Sequence, residues 1–272
     1  MGHDWQGPDP AQVLALAKEL TAARKAGQAA EAFPGPYPSD LITGYRIQEA
    51  AIAMMDASLI GWHIQPISPN HAEALKSDYV MGPVFDDGVQ APALKGARPY
   101  AKLPIRCFKG GMNAVSAQWV VRLKAPAQAD RFDWTADDAL SLVGHLHIGL
   151  IVTGSPFPTL ENYGPAAQAA DFGGLCQVIL GPEMTGSAIG GLGDVTARWS
   201  SGLTQQLSPG TWEDIGSRVA FALLHTNARN RPLAIGGLLA LGHDEPAIPL
   251  HPGHGLSVDF GPFGIFDLDP IN

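Results

Sequence analysis

Apolar positions recur with two different periods along the chain, and the change comes just before Leu59. Between Ala11 and Lys25, Val13, Leu14, Leu16, Ala17 and Leu20 cluster at helical spacing. Gly27 follows as a stop, so the pattern predicts an amphipathic helix. Phe33–Pro38 (FPGPYP) reads as a turn-rich linker, and Ser39 is placed to cap a second helix running to about Ala57. Beyond Leu59 the apolar runs shorten to Ile60–Ile67, Ser116–Leu123, His147–Val152, Cys176–Leu180, Arg218–Leu224 and Leu256–Phe260. The 32 Gly and 23 Pro of the chain break them up, and runs of this length with this punctuation favour strands. Thr135–Gly144 and Pro232–Leu241 read as helices between strands. Asp194–Leu203, with Trp199, fits an amphipathic helix or a loop. The pattern predicts an α+β chain with a helical N-terminal cap over residues 1–58 and a β-rich body over residues 59–272.

Composition narrows the partners. The 272 residues are 46% hydrophobic and only 16% charged, enough to bury a large core, an oligomeric surface, or both. The formal net charge is −9 and basic residues form no run, which argues against nucleic acid or an anionic membrane as partner. No apolar run approaches the length of a membrane span, and Met1–Trp5 does not read as the start of a signal peptide. Cys107 and Cys176 are the only cysteines. They suggest neither a zinc site nor a disulfide framework, so a reducing, cytoplasmic setting is expected.

Several motifs point further. Gly144–Pro182 contains His147-Ile148-Gly149-Leu150-Ile151, a Gly164-Pro165, Asp171-Phe172-Gly173 and Gly181-Pro182. Upstream lie Tyr45–Gln48 (Tyr-x-x-Gln), Gly61-Trp62-His63-Ile64, Met81–Phe85 and Gly110–Leu123. Together these resemble the fumarylacetoacetate hydrolase superfamily, and within it the 2-keto-4-pentenoate hydratase and oxalocrotonate decarboxylase branch, over most of the chain. The resemblance implies a mixed β-roll with a small helical cap. It implies a loop at Met81–Phe85 and a tight turn at His251–Gly255 before the last strand.

The family holds Mg²⁺ or Mn²⁺ with three carboxylates, and the metal stabilises an enolate formed from a 2-oxo acid. By the resemblance, the Glu-x-Glu pair falls at Ser116 and Gln118, the third glutamate at Ile151 and a lysine at His63. Two neutral oxygens and an apolar side chain make a poor site for a hard cation, so no metal and no other cofactor is expected. The residues that remain suggest a metal-independent lyase acting on a small 2-oxo or unsaturated carboxylic acid. His63, Asp171 and His243 are the candidate catalytic groups, and Ser116, Gln118 and Ile151 the candidate substrate-binding positions. Ser116 and Gln118 alternate on a strand and so share a face. His145 and His147 superficially resemble a metal pair but have no third ligand nearby in sequence. The alternatives are a catalytically inactive subunit bracing a partner enzyme, or a small-molecule binder. Family habit suggests a homo-oligomer, with a hetero-complex with a pathway enzyme as a further possibility.

Overall fold

The computed structural model describes residues 9–93, 99–185, 195–244 and 247–272. Two helices open the chain. Helix α1 (Pro10–Ala26) is capped by the Asp9 carboxylate, which accepts from the Ala11 N–H, and it ends at Gly27 with φ 67°. Helix α2 (Leu41–Ile52) is capped by Asp40 rather than Ser39: its Oδ1 accepts from the Thr43 N–H at 2.8 Å. This helix stops at Ile52, short of the expected Ala57.

The body holds two sheets. Its strands are β1 (Leu59–Pro66), β2 (Tyr79–Phe85), β3 (Val89–Gln90), β4 (Tyr100–Arg106), β5 (Met112–Leu123), β6 (Val143–Ser155), β7 (Leu175–Glu183), β8 (Val195–Trp199), β9 (Thr204–Leu207), β10 (Leu238–Leu241), β11 (Ile248–Pro249), β12 (Leu256–Asp259) and β13 (Ile265–Ile271). Between them lie helices α3 (Pro69–Leu75), α4 (Ala136–Ser141), α5 (Pro165–Ala170) and α6 (Ile215–Ala228). The larger sheet runs β2-β1-β10-β5-β6-β7-β3, with β11 alongside β5; the smaller runs β4-β13-β12-β8-β9. The expected α+β class, helices first and mixed sheet after, is what the chain adopts.

Four segments differ from expectation for identifiable reasons. Arg218–Leu224 is not a strand but the middle of α6, where Val219, Ala222, Leu223 and Thr226 are buried at i, i+3, i+4 and i+7. Within Pro232–Leu241 the expected helix is absent. Gly236 turns the chain at φ 77°, and Leu238–Leu241 then enters the larger sheet between β1 and β5, buried on both faces. Val195–Trp199 is a strand, neither helix nor loop, although Asp194 lies outside the described residues. Met81–Phe85 belongs to β2 rather than to a loop. The His251–Gly255 turn is present, closed by the His254 N–H donating to the His251 carbonyl at 3.0 Å, but it leads into β12 with β13 still to come.

The two faces of the larger sheet divide the apolar residues. One face carries Trp62, Ile64, Trp119, Val121, Ile148 and Leu150 into the main core, which includes α1, α2, α6 and the inner side of the smaller sheet. The other face carries a separate cluster containing Val84, Val120, Ile151, Val178, Leu180 and Leu238. No helix among the described residues is long and apolar enough to cross a membrane.

Candidate functional site

The second face is where the sequence-predicted polar residues meet. Antiparallel pairing of β5 with β6 sets Ser116 opposite Ile151 and Gln118 opposite Gly149, so Ser116, Gln118 and Ile151 share one side of the sheet. His63 pairs with Ala240, which in turn pairs with Val120. His63 and Gln118 are therefore two strands apart, roughly 9–10 Å of backbone separation. They meet because the strand between them carries little. Ala240 is small, and Gly242 has no side chain: a Cβ there would stand 3.4 Å from His63 Nε2.

The result is a buried chain of hydrogen bonds. His63 Nε2 lies 3.1 Å from Gln118 Oε1, and Gln118 Nε2 donates to Ser116 Oγ at 2.9 Å. With the amide oxygen facing the ring, the Nε2 position carries the proton and Nδ1 keeps its lone pair. Nδ1 is buried and has no hydrogen-bond partner among the described residues. Burial pushes the imidazole down to about 4, with the Gln118 hydrogen bond opposing, so His63 is neutral at pH 7. At the other end, Ser116 accepts from Gln118 and keeps its own O–H to donate. His63 is 1% exposed, Gln118 5% and Ser116 7%, so the whole chain is buried.

Ile151 sits beside Ser116 and is fully buried in the apolar cluster. Ser116, Gln118 and Ile151, where the resemblance puts the family's ligands, do not fit a divalent metal: two are neutral and already paired, and the third has no donor atom. Among the described residues no three His, Cys, Asp or Glu side chains are grouped so as to hold a metal ion.

Asp171 and His243 stand outside the chain. Asp171 ends α5 and is fully buried. Its Oδ1 accepts from Arg24 Nη1 at 2.9 Å and its Oδ2 from Ser155 Oγ at 2.6 Å. Burial raises this carboxyl above its usual range, only partly offset by Arg24 and Ser155. Burial pulls Arg24 down, but Asp171 and Cys176 outweigh it and the guanidinium stays charged. At 2.9 Å, with a serine also donating, the pair is ionic, with a carboxyl that protonates more readily than an exposed one. His243 spends Nε2 on the Ala117 carbonyl at 2.9 Å, holding the segment after β10 to β5. His145 and His147 both lie in β6. His145 Nδ1 is 2.8 Å from Glu183 Oε1, and His147 Nδ1 is 3.1 Å from the Gly181 carbonyl. Arg24 escaped the sequence reading because only the fold brings it to Asp171, 147 positions on.

No protein-family model matches the sequence, and neither does any curated protein. Solved structures do match. The 4-oxalocrotonate decarboxylase of Pseudomonas putida G7, complexed with magnesium and adipate, superposes with a TM-score of 0.76 at 15% identity, covering 98% of this chain and 100% of that one. Its complex with calcium and acetate gives 0.73 over the same coverage. The fold is that of the fumarylacetoacetate hydrolase-like enzymes. A fumarylpyruvate hydrolase from Pseudomonas aeruginosa, in complex with Mn²⁺ and pyruvate, has a TM-score of 0.50 at 12% identity, covering 80% of this chain and 92% of that one. At these identities the likeness is one of fold. In this chain the fumarylacetoacetate hydrolase-like fold carries the His63–Gln118–Ser116 chain.

Proposed function

We propose that the chain is a metal-independent lyase acting on a small 2-oxo or unsaturated carboxylic acid through an enol-like intermediate. The observation that carries this reading is the lone pair of His63 Nδ1, buried and unpartnered at one end of a chain whose other end is a free hydroxyl. A buried polar atom left without a partner costs about 1–3 kcal/mol, a cost that function explains. In this reading His63 Nδ1 removes a proton from the carbon next to the substrate carbonyl. The electron pair moves onto the carbonyl oxygen, and the Ser116 hydroxyl donates to that oxygen as charge develops. One such donor is worth ~3 kcal/mol. Gln118 fixes the tautomer of His63 and the lone-pair orientation of Ser116. Nδ1 is closed to water, so entry requires neighbouring side chains to part, and slow turnover is expected. Decarboxylase and fumarylpyruvate hydrolase activities in proteins of the same fold support the substrate class.

The test is turnover of a panel of 2-hydroxydienoates and 2-oxo acids, with and without EDTA, on protein whose metal content has been measured. Turnover that survives EDTA and falls at least 100-fold in His63→Ala, with the melting temperature little changed, is the expected result. EDTA-sensitive turnover in protein holding stoichiometric Mg²⁺ or Mn²⁺ would sink the proposal. A second reading, a non-catalytic subunit bracing a partner enzyme, is favoured by Ile151, which is buried in an apolar core where the resemblance expects a metal-ligating glutamate. That reading expects no turnover on any substrate, and His63→Ala would then be felt only in stability.

A further inference from the structure

A cavity of about 450 Å³ lies beside the start of β7, lined by parts of α1, β2, β7 and the segment after β4. The volume is in the range of small-molecule sites. Met55, Val84, Phe85, Phe108, Phe172 and Val178 give it apolar walls. The rings of Phe85 and Phe172 meet edge to face at 5.5 Å, and Arg24 lies over Phe108 and Phe172, 5.4 Å and 5.2 Å from their centroids. Val84 and Val178 also belong to the cluster around Ile151, so apolar side chains stand between the cavity and the His63 chain.

Each ionised side chain of the lining has a partner. Asp171 holds Arg24 at 2.9 Å. Lys25 Nζ donates to the Met54 carbonyl at 3.3 Å and to Asp56 at 3.2 Å. Arg106 donates to the Asp87 carbonyl at 2.7 Å and faces the Asp87 carboxylate at 3.8 Å. Burial pushes the Cys107 thiol up to about 11, with Cys176 adding, and raises that of Cys176 too, so both are neutral at pH 7. An ion entering this cavity would shed water and meet no unpaired countercharge, a cost that an uncharged molecule does not incur.

One polar group remains. Gln177 lines the cavity and is only 4% exposed. Its Oε1 accepts from the Arg106 N–H at 2.8 Å, which fixes the orientation of the amide. The amide nitrogen has no hydrogen-bond partner among the described residues. A donor so placed is costly unless something accepts from it.

We infer that this cavity binds a small uncharged aromatic carbonyl compound, its ring against the phenylalanines and its carbonyl oxygen accepting from Gln177 Nε2. The site is separate from the His63 chain and does not depend on what that chain does.

Acetophenone, α-methylstyrene and benzoate share one shape and differ in the group that Gln177 would meet: a neutral acceptor, none, and an anion. Calorimetric titration should show saturable binding of acetophenone, roughly 10-fold or more tighter than either of the others. Gln177→Glu keeps the acceptor for the Arg106 N–H but exchanges the donor for a second oxygen, and should weaken acetophenone by roughly 10-fold or more. Ala57→Trp, at a half-buried position of the lining, should abolish binding by filling the space, and serves where Gln177→Glu fails to fold. Ser116→Ala should bind acetophenone as the parent does, because the ketone does not sit at that hydroxyl. Equal affinity for acetophenone and either analogue, binding that survives both lining variants, loss of binding in Ser116→Ala, or no saturable binding would each overturn the inference.

Discussion

At the scale of single residues, the titration of His63 connects its burial to stability. Its folded value, about 4, lies below the ordinary 6.5, so the unfolded chain binds more protons between these limits. The contribution of His63 is complete above about pH 6.5 and is lost as pH falls toward 4. Between pH 7 and pH 5 this amounts to roughly 2 kcal/mol. His225 is pushed down to about 3 by burial, with Arg229 adding, and acts in the same sense. Urea unfolding at the two pH values should therefore show a drop in stability that is smaller by about 2 kcal/mol in His63→Asn. An unchanged drop would mean that the imidazole is hydrated in the native state. The resemblance singled out the three polar side chains of the site, and alternation on a strand puts Ser116 and Gln118 on one face. The contact of His63 with Gln118 was not legible in the sequence, since it depends on Ala240 and Gly242 leaving space on the strand between them.

Among the elements, α1 packs Ala17 and Leu20 into the main core, and Arg24 ties its C-terminal end to the body. Arg24 reaches Asp171 and donates to the carbonyls of Gly154, Asp171 and Leu175. Removing it alone, as Arg24→Met, leaves a carboxylate buried without its partner, and denaturant unfolding should register a loss of about 3–5 kcal/mol. Adding Asp171→Asn should recover a substantial part of that loss. No recovery would show that the guanidinium acts through its backbone contacts instead. A second joint is Gly82 in β2, where a Cβ would fall 2.0 Å from the Phe172 carbonyl oxygen. Gly82→Ala should cost ~3 kcal/mol, read as a lowered thermal midpoint; an unchanged midpoint would mean that the Asp171–Gly173 turn can move aside. Neither joint could be read from the chain, because each pairs residues far apart in sequence across a contact with no periodic signature.

For the molecule as a whole, local pattern carried the class and the four longest strands of the larger sheet, β1, β5, β6 and β7. Where it misled, the cause was short apolar runs. Val219–Leu223 has the composition of a strand, and only the wider spacing through Thr226 exposes its helical period. Leu238–Leu241 is buried on both faces, so it shows no alternation to mark it as a strand. The smaller sheet shows the limit of such reading most clearly. Its strand β13 lies between β12 and β4, pairing in parallel with β4 so that Ile265 sits beside Tyr100 and Ile271 beside Arg106. That register joins segments 165 positions apart, with most of the larger sheet encoded between them. On the ribosome β4 emerges early and must wait, its edge unpaired, until Ile265–Ile271 has been made. The smaller sheet can therefore close only late in synthesis, and for most of that time the nascent chain presents an open edge of the kind that chaperones shield.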